Sequence, residues 1–159
     1  MRRLAWVTAA LLLAPGCSAA EDQRSAWVRQ ADAVCERHAD DFVAVKPFTS
    51  EAIDEIQSHD VSPETFVELA RWSGDFLAAG SEVERELDAL GPPGEERVRR
   101  WLALNDESEA ALRAVNRAAA RQDERALYAA FDRQAETSER FIDLSQELGF
   151  RNCGTVIDD

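Results

Sequence analysis

A chain of 159 residues is of single-domain size, and 45% hydrophobic residues with 31% charged ones supply enough apolar material to bury a core. Eighteen Lys and Arg stand against 31 Asp and Glu, a formal net charge of −13, which is the opposite of the cationic footprint that nucleic-acid binding needs. Seven Gly and five Pro are few for an all-β chain dense in turns, and two His with three Cys leave little for a metal centre.

The first segment reads as an address. Met1-Arg2-Arg3 is a basic start, and Leu4 to Ala14 is a largely apolar run. That run is too short to span a bilayer, which takes about 20 residues, and it suits the hydrophobic region of a signal peptide. It ends in Leu13-Ala14-Pro15-Gly16-Cys17, a small residue directly before a cysteine, which resembles the lipobox of bacterial lipoproteins. In that family the cysteine takes a diacylglycerol thioether and becomes the mature N-terminus. Ala14 departs from the Leu, Val or Ile that the family prefers three places before the cysteine. The resemblance implies a lipoprotein signal peptide over 1–16, lipidation at Cys17 and a tether over 17–24, ahead of a folded domain over 25–159. Ordinary secretion is the alternative.

Loss of residues 1–16 removes two arginines and no acid, leaving 16 basic against 31 acidic residues and a net charge of −15. The tether Ser18 to Arg24 reaches at most about 25 Å when extended. A lipid anchor would therefore hold the domain close to the extracytoplasmic face of the cell membrane, whose anionic lipids repel it. With Cys17 committed to lipid, Cys35 and Cys153 remain, and in an oxidising compartment two such cysteines pair. Closing so long a loop stabilises by up to about 4–5 kcal/mol in the chain-entropy model. Neither cysteine has a CxxC partner or a basic cluster that would lower its pKa.

Four amphipathic helices follow. The first runs from Ser25 to Val45 with Trp27, Ala31, Val34, His38 and Phe42 on one stripe, and Pro47 stops it. The long connection after it contains Ser50, a possible cap for a short helix whose Ile53 and Ile56 would cover one end of the core. The second helix opens at Ser62-Pro63, a cap followed by proline at the first helical position, and ends at Gly91-Pro92-Pro93. The third starts near Gly94-Glu95-Glu96, whose acids complement the helix dipole. The fourth runs from an Asp123 cap to Gly149 with an unbroken 3-4 stripe from Leu127 to Leu148. This pattern predicts an all-α fold, an up-down-up-down four-helix bundle, in which the tail Phe150 to Cys153 folds back for Cys153 to reach Cys35.

Three short stretches, Ala31-Asp32-Ala33-Val34-Cys35, Leu90-Gly91-Pro92-Pro93 and Leu148-Gly149-Phe150-Arg151-Asn152-Cys153-Gly154, resemble small secreted lipoproteins of high-GC Gram-positive bacteria. The resemblance implies a disulfide-closed helical lipoprotein and carries no assigned activity.

Polar residues on otherwise apolar stripes are the candidate site. His38, Asn105, Ser108, Gln134 and Thr137 each fall near the middle of a predicted helix, so antiparallel packing would place them at similar height. They read either as a satisfied hydrogen-bonded layer that sets register or as the lining of a pocket for a small polar ligand. His38 has Cys35, Glu36, Asp40 and Asp41 nearby, but the Glu-x-x-His spacing of di-metal bundles is missing, as are CxxC, HExxH and EF-hand motifs. No metal or other cofactor is expected. His59 reads as an exposed loop residue.

From Pro47 to Ala70 there are six acids and no Lys or Arg, a solvated face or a dock for a cationic partner. Arg113, Arg117 and Arg121 recur every four residues, with Glu109 placed for an i,i+4 pair; acids of a neighbouring helix or anionic headgroups are their other possible contacts. No nucleophile elbow or Gly-rich phosphate loop is present, so catalysis is not expected. The expectation is a lipid-anchored extracytoplasmic binding or interaction module, its partners the membrane and an envelope protein. The alternative is a small-ligand carrier that uses the central polar layer.

Overall fold

The computed structural model describes residues 25–154. The expected signal peptide over 1–16, the expected lipidation site Cys17 and the expected tether over 17–24 lie outside the described residues, as does the segment 155–159. The described chain is all-helical, with no strand, and its helices pack together: α1 (Ala26–Arg37), α2 (Ala39–Val43), α3 (Ser50–Ser58), α4 (Pro63–Ala89), α5 (Glu96–Ala120) and α6 (Glu124–Leu148). None of these helices is long and apolar enough to cross a membrane.

Local signals account for most boundaries. Ser25, Thr49, Ser62 and Asp123 each accept a hydrogen bond from the backbone N–H three residues on, which satisfies one of the otherwise unpaired donors of a first turn. The α3 cap is thus Thr49, one residue before the expected Ser50, and Glu68 of α4 fixes it by accepting from the Thr49 backbone N–H at 2.7 Å. Gly149 takes a left-handed conformation (φ 78°) at the end of α6, which glycine adopts without steric cost.

The first predicted helix differs from the structure. It breaks at His38 (φ −102°, ψ 5°) into α1 and the short α2. The imidazole is engaged here by Asp41 of α2 and Glu86 of α4, and the break lets α2 lie on α4 with the Phe42 and Phe76 rings 5.0 Å apart. The connection before α4 is less buried than the sequence suggests. Ala52 is buried and Ile56 packs on the core, but Ile53 remains 41% exposed.

Long helices α4, α5 and α6 follow one another through short turns, and side chains register them in opposite senses. Asn116 of α5 donates to the Ala70 carbonyl and to Ser73 Oγ of α4 at 2.7 and 3.0 Å. Near the other end of α5, the Trp101 indole N–H donates to Ser145 Oγ of α6 at 2.7 Å.

Two apolar cores result. The first joins α1, the end of α4, the start of α5 and the tail after α6, around Val28, Val34, Val98, Trp101, Phe150 and Cys153. Phe150 and Phe141 lie against Trp101 with ring centroids at 4.5 and 5.0 Å. Cys35 and Cys153 form a disulfide with Cα atoms 5.3 Å apart, closing a separation of 118 residues. The buried Asp32 carboxylate anchors the same tail: its Oδ1 accepts from the backbone N–H groups of Arg151, Asn152 and Cys153 at 2.9, 2.7 and 3.2 Å. Three donors that no helix can use are satisfied by one side chain. The second core gathers Phe66 and Leu69 of α4, Val115 and Ala119 of α5, and Leu127 and Ala130 of α6.

Candidate functional site

Between the two cores, the middle turns of α4, α5 and α6 leave a cleft of about 130 Å³. The helical period places its lining. On α4, Phe76, Gly80 and Glu84 stand one turn apart, and on α5 Asn105, Ser108, Glu109 and Leu112 share a face at 3-4 spacing. Gln134 comes from α6, and Phe42 of α2 completes the wall.

Three of the five sequence candidates meet here. Asn105, Ser108 and Gln134 all line the cleft. The Gln134 amide donates to Ser108 Oγ at 3.1 Å and to Ser138 Oγ at 3.0 Å. Its Oε1 is buried with no hydrogen-bond partner, the one such side-chain atom among the described residues. A buried acceptor without a donor is costly, by about 1–3 kcal/mol, unless something else supplies one.

The other two candidates lie elsewhere. Thr137 is buried, but its hydroxyl turns back to donate to the Arg133 carbonyl one turn earlier at 2.7 Å. His38 sits at the α1–α2 break, with Nδ1 2.9 Å from Asp41 Oδ2 and Nε2 3.0 Å from Glu86 Oε1. The Asp41 bond first, then the Glu86 bond, raise the imidazole above its ordinary pKa. The His38 and Arg37 bonds hold Glu86 below the usual carboxylate value. His38 therefore acts on the cleft indirectly, by tying the helix that bears Phe42 to α4.

The mouth of the cleft is acidic. Glu84 is held above its ordinary pKa, first by partial burial and then by the nearby Glu109 carboxylate. Asp106 is raised in the same way, by burial and then by Glu109 and Asp88. Glu109 forms an ion pair with Arg113 of its own helix, and the same guanidinium attracts Glu84 across the cleft mouth. Phe76 is 37% exposed and stands in a ladder with Trp72 and Phe48, at centroid separations of 5.5 and 4.6 Å.

Phe42 lies on the apolar stripe predicted for the first helix, and Phe76 and Gly80 continue the 3-4 spacing of Phe66, Leu69 and Ser73 along α4, a pattern that reads as core and passes over Glu84. The signal that was available is Gly80: a glycine in the middle of a helical stripe, four residues from an aromatic, marks a place where volume is withheld.

The remaining features resolve into structure. His59 caps α3 in a left-handed conformation and stacks on Tyr128 at 4.2 Å, while the Tyr128 hydroxyl donates to the Ile56 carbonyl. Of the acids between 47 and 70, Glu68 caps Thr49, and Glu55 is held low by the Thr65 hydroxyl and then by the Ser62 backbone N–H. Arg113 pairs within its own helix, and Arg117 and Arg121 are exposed. No three His, Cys, Asp or Glu side chains converge on a possible metal site among the described residues. No protein-family model, curated protein or solved structure matches this chain, so its function is argued from the site alone.

Proposed function

We propose that the protein is a lipid-anchored, extracytoplasmic binding module of the small secreted lipoprotein type, with the cleft between α4, α5 and α6 as its binding site. In this reading Cys17 carries the anchor after cleavage before it, and the membrane and an envelope component are its partners. The body is an up-down-up-down four-helix bundle whose first helix is α1 and α2 taken together. Its role is read as recognition and not catalysis: Cys35 is spent on the disulfide, and the Ser108 hydroxyl in the cleft accepts a hydrogen bond from the Gln134 amide.

The observation that carries the reading is the cleft lined by Asn105, Ser108 and Gln134, beside which the Gln134 Oε1 is buried without a partner. A layer serving only to set helix register satisfies its own polar groups. The volume argues against the carrier alternative. Pockets that enclose a drug-sized ligand run to about 300–1,000 Å³, and about 130 Å³ holds one side chain or one small group.

Affinity capture from envelope extract with the full mature chain tests this, with mass spectrometry of bound proteins and small molecules. A component retained by the wild type and lost with Gly80→Leu is the expected result; capture that ignores this substitution overturns the cleft as the site. Intact mass tests the anchor: a chain starting at Cys17 and carrying acyl mass is expected, and an uncleaved leader overturns it.

A further inference from the structure

We infer that α2 is a pH-operated latch on the cleft. It is closed while the His38 imidazolium bridges Asp41 to Glu86, and it is released together with Phe42 when the ring gives up its proton; this rests on the binding-module reading and names how that site is regulated.

Proton counting fixes the closed state. The two ring nitrogens of His38 lie 2.9 Å from Asp41 Oδ2 and 3.0 Å from Glu86 Oε1. A carboxylate offers only lone pairs, so both contacts are hydrogen bonds only when both nitrogens carry protons. A neutral ring has one N–H and turns its lone pair toward the other carboxylate, which repels it. The bridge runs Asp41–His38–Glu86, so the loss of either bond opens it.

The other charged groups around the bridge do not replace it. Arg37 of α1 bonds to Glu86, and the disulfide of Cys35 fixes α1. That pair compensates Glu86 when His38 lets go, but it belongs to α1. Asp75 and Glu82 of α4 line the open groove beside Asp41, and each is bonded to an arginine of its own helix, Arg71 and Arg85. Among the described residues, no ion pair joins α2 itself to α4.

Little else holds α2. It is five residues long with no buried side chain, far below the length at which a helix stands alone. Val43 is 65% exposed, and the chain from Lys46 to Thr49 has no regular structure. Firm anchors flank the segment: α1 on one side, and Phe48 against Trp72 at 4.6 Å on the other. Motion is thereby confined to residues 38–47. Phe42 lies on Phe76 and forms part of the cleft wall, so withdrawal of α2 opens that wall.

The same contacts set the sign. The Asp41 bond and then the Glu86 bond raise the imidazole above its ordinary value of 6.5, and burial lowers it by less. The latch is therefore closed in mild acid and opens as pH rises through the raised value.

An NMR titration of the full mature chain from about pH 5.5 to about pH 9 tests the inference through the His38 ring shifts and the NOEs between the Phe42 and Phe76 rings. Those NOEs are expected to be lost with a midpoint at the His38 pKa, itself above 6.5, while the α5 and α6 amide shifts stay fixed. His38→Ala should lose them at every pH. Glu86→Gln should keep them at every pH, because a glutamine amide donates to the neutral ring as well as accepting from it. Ring contacts that persist in the wild type to about pH 9 overturn the latch, as does a His38 pKa at or below 6.5 or a pH dependence that survives Glu86→Gln. If the contacts behave as expected while envelope capture ignores Gly80→Leu, the motion of α2 stands and the binding site falls. If capture depends on Gly80 while the contacts persist, the binding module stands and the latch falls.

Discussion

The core around Trp101 and the cleft around Gln134 are neighbours on the same two helices, α5 and α6, and they treat their polar groups in opposite ways. Around Trp101 the polar groups are matched: the indole N–H has Ser145, the Ser145 hydroxyl in turn donates to the Phe141 carbonyl, and the three tail N–H groups have Asp32. Covalent closure by Cys35–Cys153 is added at the same end. A few turns along, Gln134 Oε1 is buried without a partner, and Glu84 is repelled by Glu109, Asp106 and Asp88 while Arg113 attracts it. Foldability favours satisfied interiors, so an unmet polar requirement held in place by well-packed surroundings is the feature beside which the proposed binding site is set.

That contrast can be broken most severely from the closed end. Trp101→Ala removes the side chain that Phe141, Phe150 and Ser145 meet and opens a large cavity, and should cost about 3–5 kcal/mol in urea unfolding. A loss below about 1 kcal/mol would mean that the closed end is not the stabilising region. Replacing Cys35 and Cys153 together by serine should cost about 2–5 kcal/mol through the released loop. Hydrogen exchange in that variant should rise first at Arg151 to Cys153, because the Asp32 bonds and the packing of Phe150 on Trp101 then hold the tail without a covalent link.

The His38 clamp gives a smaller effect with a definite pH signature. Its pKa is raised in the folded state, so its contribution is complete below the unfolded value of about 6.5 and fades as pH rises through the folded value. Glu86 is held low, so its contribution is present above the unfolded carboxylate value of about 4.5 and fades as pH falls through the folded one. The difference in Tm between wild type and His38→Gln should therefore be greatest between about pH 5 and 6.5 and shrink toward pH 8. A difference that grows with pH contradicts the clamp. The smallest expected effect has the opposite sign. Gly80→Ala should raise stability by roughly 0.5–1 kcal/mol and weaken the capture of an envelope component, separating what the fold prefers from what the proposed site needs.

Much of the helical pattern was legible because its signals are local. Ser62-Pro63, Asp123 and Gly149 act through the backbone within three or four residues, and each falls where the structure has a helix boundary. The break at His38 was not legible. Its partner Glu86 lies 48 residues away, and an apolar stripe reads straight through a turn that a distant carboxylate stabilises. Asn105, Ser108 and Gln134 were visible as polar interruptions, but Thr137 looked the same in sequence and satisfies itself on its own helix. The composition of a stripe does not say whether its hydroxyl finds a partner one turn back or across a cleft.

From the chain alone came the all-helical class, most helix ends and the cysteine pair, since periodicity, caps and the scarcity of other thiols constrain them without knowledge of distant contacts. Packing decided the rest: that α2 swings onto α4, that Asp32 captures the returning tail, and that Gly80 opens toward Gln134. These depend on which side chains, far apart along the backbone, arrive at the same few ångströms, and short-range preference carries no record of that.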